Sequence, residues 1–153
     1  MGNKRRTKRT IIIIVICLAV ATLAITVLHK PSIAQYEDDF GFSLEIISAK
    51  TLDHYHHDDF RDSLTIYRVN ITGNIEGSIF DKNKMAEGLS EDAEVLLGEA
   101  AELTEGKQGF EDLREMDPHS LKSMELEAVN NTDAQLYIIY YGEDNHYLVI
   151  WNG

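Results

Sequence analysis

An uncharged apolar block at residues 11–28 constrains the fold of this chain more than any other feature. Eighteen helical residues span about 27 Å at a rise of about 1.5 Å each, which matches the hydrocarbon thickness of a bilayer. Only two threonines in the block are polar, and a helical threonine can return its hydroxyl hydrogen bond to its own backbone. The block therefore predicts a transmembrane helix.

The charges beside this block predict its orientation. Five of the first ten residues are Lys or Arg, whereas only His29 and Lys30 directly follow the block. The positive-inside rule keeps residues 1–10 in the cytoplasm as a basic tail and places the C-terminal part outside a cell membrane that is crossed once. The alternative is a signal peptide cleaved after Ala34, which would secrete the chain, but the length of the block favours a retained signal-anchor.

The part of the chain after this segment is strongly acidic. Six of the 14 Lys and Arg residues precede Gln35, which leaves eight cations against all 26 carboxylates and a formal charge of −18 for residues 35–153. A surface this acidic repels phosphate backbones, so nucleic-acid binding is excluded. The single cysteine, Cys17, lies in the apolar block, so packing alone must hold the exported part together.

Strand patterns occur at both ends of the exported part. We expect a linker at residues 29–41 and one domain at residues 42–153, because the remaining length suits a single small domain. Period-2 alternation predicts strands, and a turn composition at residues 142–145 predicts a hairpin. The predicted strands are residues 42–48, 63–71, 134–141 and 146–151.

Helical patterns fall between these strands. Residues 81–105 are rich in Ala, Glu and Leu, and Ser90 followed by acidic residues predicts the start of the stronger helix. Pro118 predicts a short helix over residues 119–126. The sum is an α+β fold, a small antiparallel sheet with one to three helices on one face, preceded by the N-terminal transmembrane helix.

Residues 53–59 hold three of the six histidines and three carboxylates, and their polarity predicts a loop. Imidazole and carboxylate groups are ligands for zinc and copper, so His54, His56, His57 and Asp58 are candidate ligands for a divalent metal cofactor. The alternative is a solvated polar loop, because no His-x-x-x-His or Cys-x-x-Cys pair supports the site. No nucleophile elbow or calcium loop is present, and nothing in the sequence predicts an enzyme.

Two segments resemble a known group of proteins. Residues 57–63 pass from an Asp-, His- and Phe-containing turn into a strand at residues 64–69, and residues 135–151 form a Tyr-rich hairpin. In this pattern the chain resembles small exported or membrane-anchored proteins of Gram-positive bacteria that have no assigned activity. The resemblance implies a similar topology and a bacterial surface location, and it implies no catalytic residue.

The sequence leaves three functional hypotheses open. The leading one is a binding or interaction module at the cell surface that meets a protein partner through Tyr55, Phe60 and Tyr67. The second is a divalent-metal-binding or metal-dependent protein that uses residues 54–59. The third is an accessory subunit of a membrane complex, in which residues 11–28 pair with another protein.

Overall fold

Six antiparallel strands form the centre of the structure, a computed structural model that describes residues 32–45, 47–59, 62–129 and 133–153. The order of the strands across the sheet is β1-β2-β6-β5-β4-β3. Within these described ranges, two α-helices and three short 3-10 turns accompany the sheet. The strands are β1 (Ile47–Asp58), β2 (Ser63–Gly73), β3 (Ala86–Glu87), β4 (Lys122–Glu127), β5 (Ala134–Gly142) and β6 (Asn145–Asn152), the helices are α1 (Glu37–Phe40) and α2 (Glu91–Leu103), and the turns are Ile33–Tyr36, Leu113–Glu115 and Pro118–Ser120.

The C-terminal hairpin and strand β2 confirm the sequence prediction. Strands β5 and β6 pair through a turn in which Glu143 and Asp144 both have positive φ, the conformation that a tight two-residue hairpin requires. Strand β2 lies between β1 and β6. Nearly every side chain in the middle of these strands is buried, whichever face it points to. The sheet is therefore covered on both sides.

Different parts of the chain pack on the two faces of the sheet. On one face, Tyr67, Ile138 and Leu148 pack with Ile33 and Phe40 from the N-terminal segment. The α+β class and the antiparallel sheet are confirmed, but the prediction that all helices lie on one face is wrong, because both faces are apolar and both need a cover. On the other face, helix α2 packs against the sheet through Ala93, Leu97, Ala100 and Ala101, together with Phe110 and Leu113.

The predicted linker at residues 29–41 is wrong for its described part, because residues 32–41 belong to the domain. Ile33 is 1% exposed and Phe40 is 5% exposed, and both lie in the core. The side chain of Ser32 accepts a hydrogen bond from the backbone of Ala34. The acidic run between the two core residues suggested a spacer, but apolar side chains on either side of it anchor the segment to the sheet.

The structure overturns three local predictions, two of them because distant strands pair. Residues 53–58 form the second half of β1 instead of a loop, because each pairs with β2. Residues 42–45 are irregular, although a strand was predicted from residue 42. Residues 122–127 form β4 against β5 instead of a helix. The N-cap prediction is confirmed, because α2 begins after Ser90, whose side chain accepts a hydrogen bond from the backbone of Ala93.

The predicted basic tail and transmembrane span, residues 1–10 and 11–28, lie outside the described residues. Within the ranges that the structure describes, no helix combines the length and the apolarity needed to cross a bilayer.

Candidate functional site

The candidate metal ligands lie on strand β1, which is an edge strand of the sheet. His54 pairs with Tyr67, His56 with Thr65 and Asp58 with Ser63. Side chains alternate between the two faces of a strand, so His54, His56 and Asp58 share one face and His57 lies on the other. The four predicted ligands are therefore divided between two sides of the sheet.

Both ring nitrogens of His56 have partners. Its Nδ1 atom lies 2.7 Å from the hydroxyl oxygen of Thr65, and its Nε2 atom lies 3.0 Å from Oδ1 of Asp58. His56 and Asp58 remain open to solvent, with 43% and 75% of their side-chain surfaces exposed. The pair is thus an accessible imidazole and carboxylate that face each other on one strand.

His54 is more enclosed than His56. Its ring centroid lies 4.7 Å from that of Tyr67. Burial lowers the pKa of His54, and the neighbouring His56 lowers it further. Both effects favour the neutral form of the His54 ring.

Among the described residues, no three His, Cys, Asp or Glu side chains stand close enough together to hold a metal ion. His57 instead lines a hollow of about 40 Å³ with Asp62, Ser63, Glu99 and Trp151 on the side of helix α2.

The three aromatic residues of the predicted interaction surface have different environments. Tyr55 is half-buried, and the ammonium group of Lys107 lies 5.6 Å from its ring centroid. Tyr67 is fully buried, and its hydroxyl oxygen accepts a hydrogen bond of 2.7 Å from Nε2 of Gln35. Tyr67 therefore belongs to the core and offers no exposed surface. Phe60 lies outside the described residues.

A larger candidate site, which the sequence did not indicate, lies beside helix α2. A cleft of about 370 Å³ is formed between the helix and the segment around the Leu113–Glu115 turn, with Leu97, Ala101 and Leu113 among its lining residues. A second cleft of about 390 Å³ shares Met116 with the first and is lined in part by Leu121 and Tyr141. We call the two together the acidic cleft.

The charge of the acidic cleft comes almost entirely from carboxylates. Among the residues that the structure describes, Arg114 is the one cation that lines it, and its Nη1 atom lies 2.8 Å from a carboxylate oxygen of Glu105. Apolar side chains surrounded by carboxylates form a surface suited to a positively charged group on an apolar stem. The five lining carboxylates are Glu94 and Glu102 in the first cleft, and Asp112, Glu115 and Asp117 in the second.

A polar network fixes the segment that carries one wall of this cleft. The hydroxyl group of Tyr147 on β6 donates a hydrogen bond to Asp112, and Tyr141 stacks on Tyr147 with their ring centroids 4.8 Å apart. Burial and the contact with Asp112 raise the pKa of Tyr147 well above its ordinary value. Nearby, the Arg68 guanidinium pairs with Asp53. The network holds residues 109–112 against the sheet.

A substitution at Gly109 tests whether residues 109–112 are held against the sheet. Its φ is +91°, and a Cβ atom built on it would meet the Asp53 carboxylate at 2.3–2.5 Å. We expect Gly109→Ala to lower the free energy of unfolding by about 1–3 kcal/mol because both the backbone and the contact are strained.

The control for this substitution is Gly98→Ala on helix α2. A Cβ atom there meets nothing within 4 Å, and alanine stabilises a helix interior by about 0.5–1 kcal/mol. Urea unfolding followed by the fluorescence of Trp151 measures both variants. Equal stability of the two variants would contradict the close approach of Gly109 to Asp53.

Comparison of the chain with protein-family models, with curated proteins and with solved structures gave no match.

Proposed function

We propose that this chain is a single-pass membrane protein whose acidic domain, outside the membrane, binds a positively charged segment of a protein partner. The acidic cleft is the observation that carries this proposal. Its apolar lining and carboxylates complement an occupant with both apolar and cationic groups, such as a helix or loop that contains lysine or arginine. The cleft is open to solvent, so a segment of a large partner such as a protein can enter it.

Two features of the domain support this choice of partner. First, the formal charge of −18 on residues 35–153 attracts cationic partners over a distance and raises the rate of encounter. Second, Arg114, the single lining cation in the described part of the chain, is paired with Glu105, so it does not cancel the charge of the carboxylates around it. Electrostatic attraction would bring the partner in, and burial of apolar surface would hold it.

Charge reversal in the cleft tests the proposal. The full chain, purified in a mild detergent, would be titrated with a cationic amphipathic peptide of lysine and leucine, with Glu94→Lys/Glu102→Lys as the cleft variant. We expect this variant to bind at least about tenfold more weakly, because two attractive contacts become repulsive. We also expect the affinity of the wild type to fall steeply with added salt.

The matched control is Glu45→Lys/Glu76→Lys, which makes the same change in net charge at two exposed positions outside the cleft. Ile79, near Glu76 in the chain, packs against the core on the sheet face opposite helix α2. We expect this control to bind within about threefold of the wild type. Equal weakening of both variants would show that only net charge matters, and the cleft would lose its assigned role.

The accessory-subunit hypothesis makes a different prediction. If residues 11–28 pair with another membrane protein, replacing them with an unrelated anchor abolishes assembly and charge reversal in the cleft leaves it intact. The opposite pattern follows from the proposal made here.

A further inference from the structure

We propose that residues 75–85, which we call the cover loop, detach from the sheet when the ring of His146 beneath them takes up a proton. Detachment would uncover apolar surface on that face of the sheet. The cover loop packs on the face opposite helix α2, so its release is independent of the acidic cleft.

The cover loop carries its own hydrogen bonds. The carboxylate of Asp81 accepts hydrogen bonds of 2.9 and 3.0 Å from two backbone N–H groups of the loop. The hydroxyl group of Ser78 donates a hydrogen bond to the carbonyl oxygen of Ile75 and accepts one from the backbone of Phe80. Further backbone hydrogen bonds link the residues from Ile75 to Lys84. Because these hydrogen bonds all lie within the loop, the loop can move away as a unit without breaking them.

Apolar side chains attach the cover loop to the sheet. Phe80 is fully buried and Met85 is 7% exposed, and both lie in the core of this face. Ile75 and Ile79 pack against the same core. The ring of Phe80 also meets His146 edge-on, with ring centroids 5.6 Å apart. The loop is thus attached by apolar burial, and an ionisable ring lies inside the contact.

His146 has no good partner for a second proton while the loop is closed. Its side chain is fully buried, and neither ring nitrogen makes a hydrogen bond of regular geometry. A charged ring would therefore favour the detached state, in which water can reach it. Burial lowers the pKa of the closed ring from 6.5 to about 4, so each pH unit between these values favours detachment by about tenfold.

The charged groups around His146 do not offset its burial. In the β5–β6 turn, the charge and backbone of Asp144 favour the protonated ring, but burial outweighs them. In the cover loop, the ammonium group of Lys82 lies 5.6 Å from the ring centroid of Tyr140, which neighbours His146 on β5. The backbone hydrogen bonds to Asp81 lower its pKa, so this carboxylate stays charged while His146 titrates. Strand β2 places an uncharged residue opposite His146.

Oxidation of Met85 by hydrogen peroxide tests the proposal, because a thioether does not ionise and is oxidised when it is exposed. The full chain in mild detergent would be pulsed with peroxide at pH 7.5, 6 and 5, and mass spectrometry would locate the sulfoxides. We expect Met85 to be oxidised at least about fivefold faster at pH 5 than at pH 7.5. Met116, which lines the acidic cleft, is the internal reference, and its rate should change by less than about twofold.

Two variants separate release of the loop from unfolding of the whole domain. In His146→Leu, which cannot take up the proton, we expect the Met85 rate to stay within about twofold between pH 7.5 and pH 5. Leu97→Met places a thioether in the core beneath helix α2, on the other face of the sheet, and nearly conserves the side-chain volume. We expect this introduced thioether to be oxidised at least about tenfold more slowly than Met85 at pH 5.

Three results would overturn the proposal. They are a Met85 rate that does not rise with acid, the same rise in His146→Leu, and oxidation of the thioether introduced by Leu97→Met as fast as that of Met85. The last result would mean that acid unfolds the whole domain and not the loop alone. Urea unfolding at pH 7.5 checks that both variants are folded.

Discussion

Acid should destabilise this domain through His146. Between pH 7 and pH 4 we expect the wild type to lose about 3 kcal/mol more of its free energy of unfolding than His146→Leu loses. The figure follows from the pKa of His146, which burial lowers from 6.5 to about 4, because each unit of pKa difference corresponds to about 1.4 kcal/mol.

The environment of His146 explains the shift. The side chain is fully buried on β6, between the rings of Phe80 and Tyr140, whose centroids lie 5.6 Å and 5.3 Å away. Neither ring nitrogen makes a hydrogen bond of regular geometry. The backbone of Phe80 and the backbone and charge of Asp144 favour the charged ring, but burial outweighs them. A proton on this ring would thus be a buried and poorly compensated charge.

The sign of the effect follows from the two pKa values. The unfolded chain takes up the proton near pH 6.5, whereas the folded domain takes it up only near pH 4. The neutral His146 ring therefore makes its full contribution to stability above pH 6.5, and this contribution is lost as the pH falls toward 4. Leucine has a similar volume and no ionisable group, so His146→Leu removes this loss.

Urea unfolding at several pH values, followed by the fluorescence of Trp151, measures the difference. His119→Leu is the control, because His119 is exposed on a 3-10 turn. We expect it to keep the acid sensitivity of the wild type. Parallel pH profiles for wild type and His146→Leu would show that His146 is not the buried neutral group described here.

Removal of Ile33 should destabilise the domain by a comparable amount. We expect Ile33→Ala to lower the free energy of unfolding by about 2–5 kcal/mol, because the side chain is 1% exposed and its loss leaves a cavity in the core. Ile33→Val, which removes one methylene group, should cost about 0.5–1.5 kcal/mol. Urea unfolding of the two variants beside the wild type gives both values.

The same residue connects stability with processing. Cleavage after Ala34 would remove Ile33 from the core and Ser32 from the start of the first turn. A chain that begins at Gln35 should therefore be less stable than one that begins at Ser32 by at least the cost of Ile33→Ala. Equal stability of the two chains would contradict the packing of the N-terminal segment and would favour the cleaved form.

The sequence predicted the elements whose patterns are local. The hairpin of β5 and β6 and strand β2 have apolar runs bounded by turn residues, and Ser90 begins helix α2 because its side chain caps a backbone N–H group nearby in the chain. These signals need no knowledge of the rest of the fold. They were also sufficient to predict the α+β class and the antiparallel sheet.

The wrong predictions concern segments whose structure depends on distant partners. Residues 53–58 have the composition of a loop, but β2 supplies a complete set of pairing positions for them. Residues 122–127 follow a proline that suggested a helix, yet they pair with β5. Composition describes the segment alone, whereas strand pairing depends on what lies beside it.

The candidate sites show the same limit. The sequence named His54, His56 and Asp58, but it could not separate them from His57 until a strand fixed which side chains share a face. It gave no sign of the acidic cleft, whose lining comes from helix α2, from the irregular segment around two 3-10 turns and from Tyr141 on β5.

Site-specific photo-crosslinking would show whether the acidic cleft meets a protein partner. A photoreactive residue would replace Gly98, which lines the acidic cleft with open space around it, in the full chain expressed in living cells. A second chain would carry it at Thr72, an exposed position at the end of β2. We expect a discrete crosslinked partner from Gly98 that disappears in Glu94→Lys/Glu102→Lys and persists in Glu45→Lys/Glu76→Lys. No adduct from Gly98, or the same adduct from Thr72, would contradict this expectation.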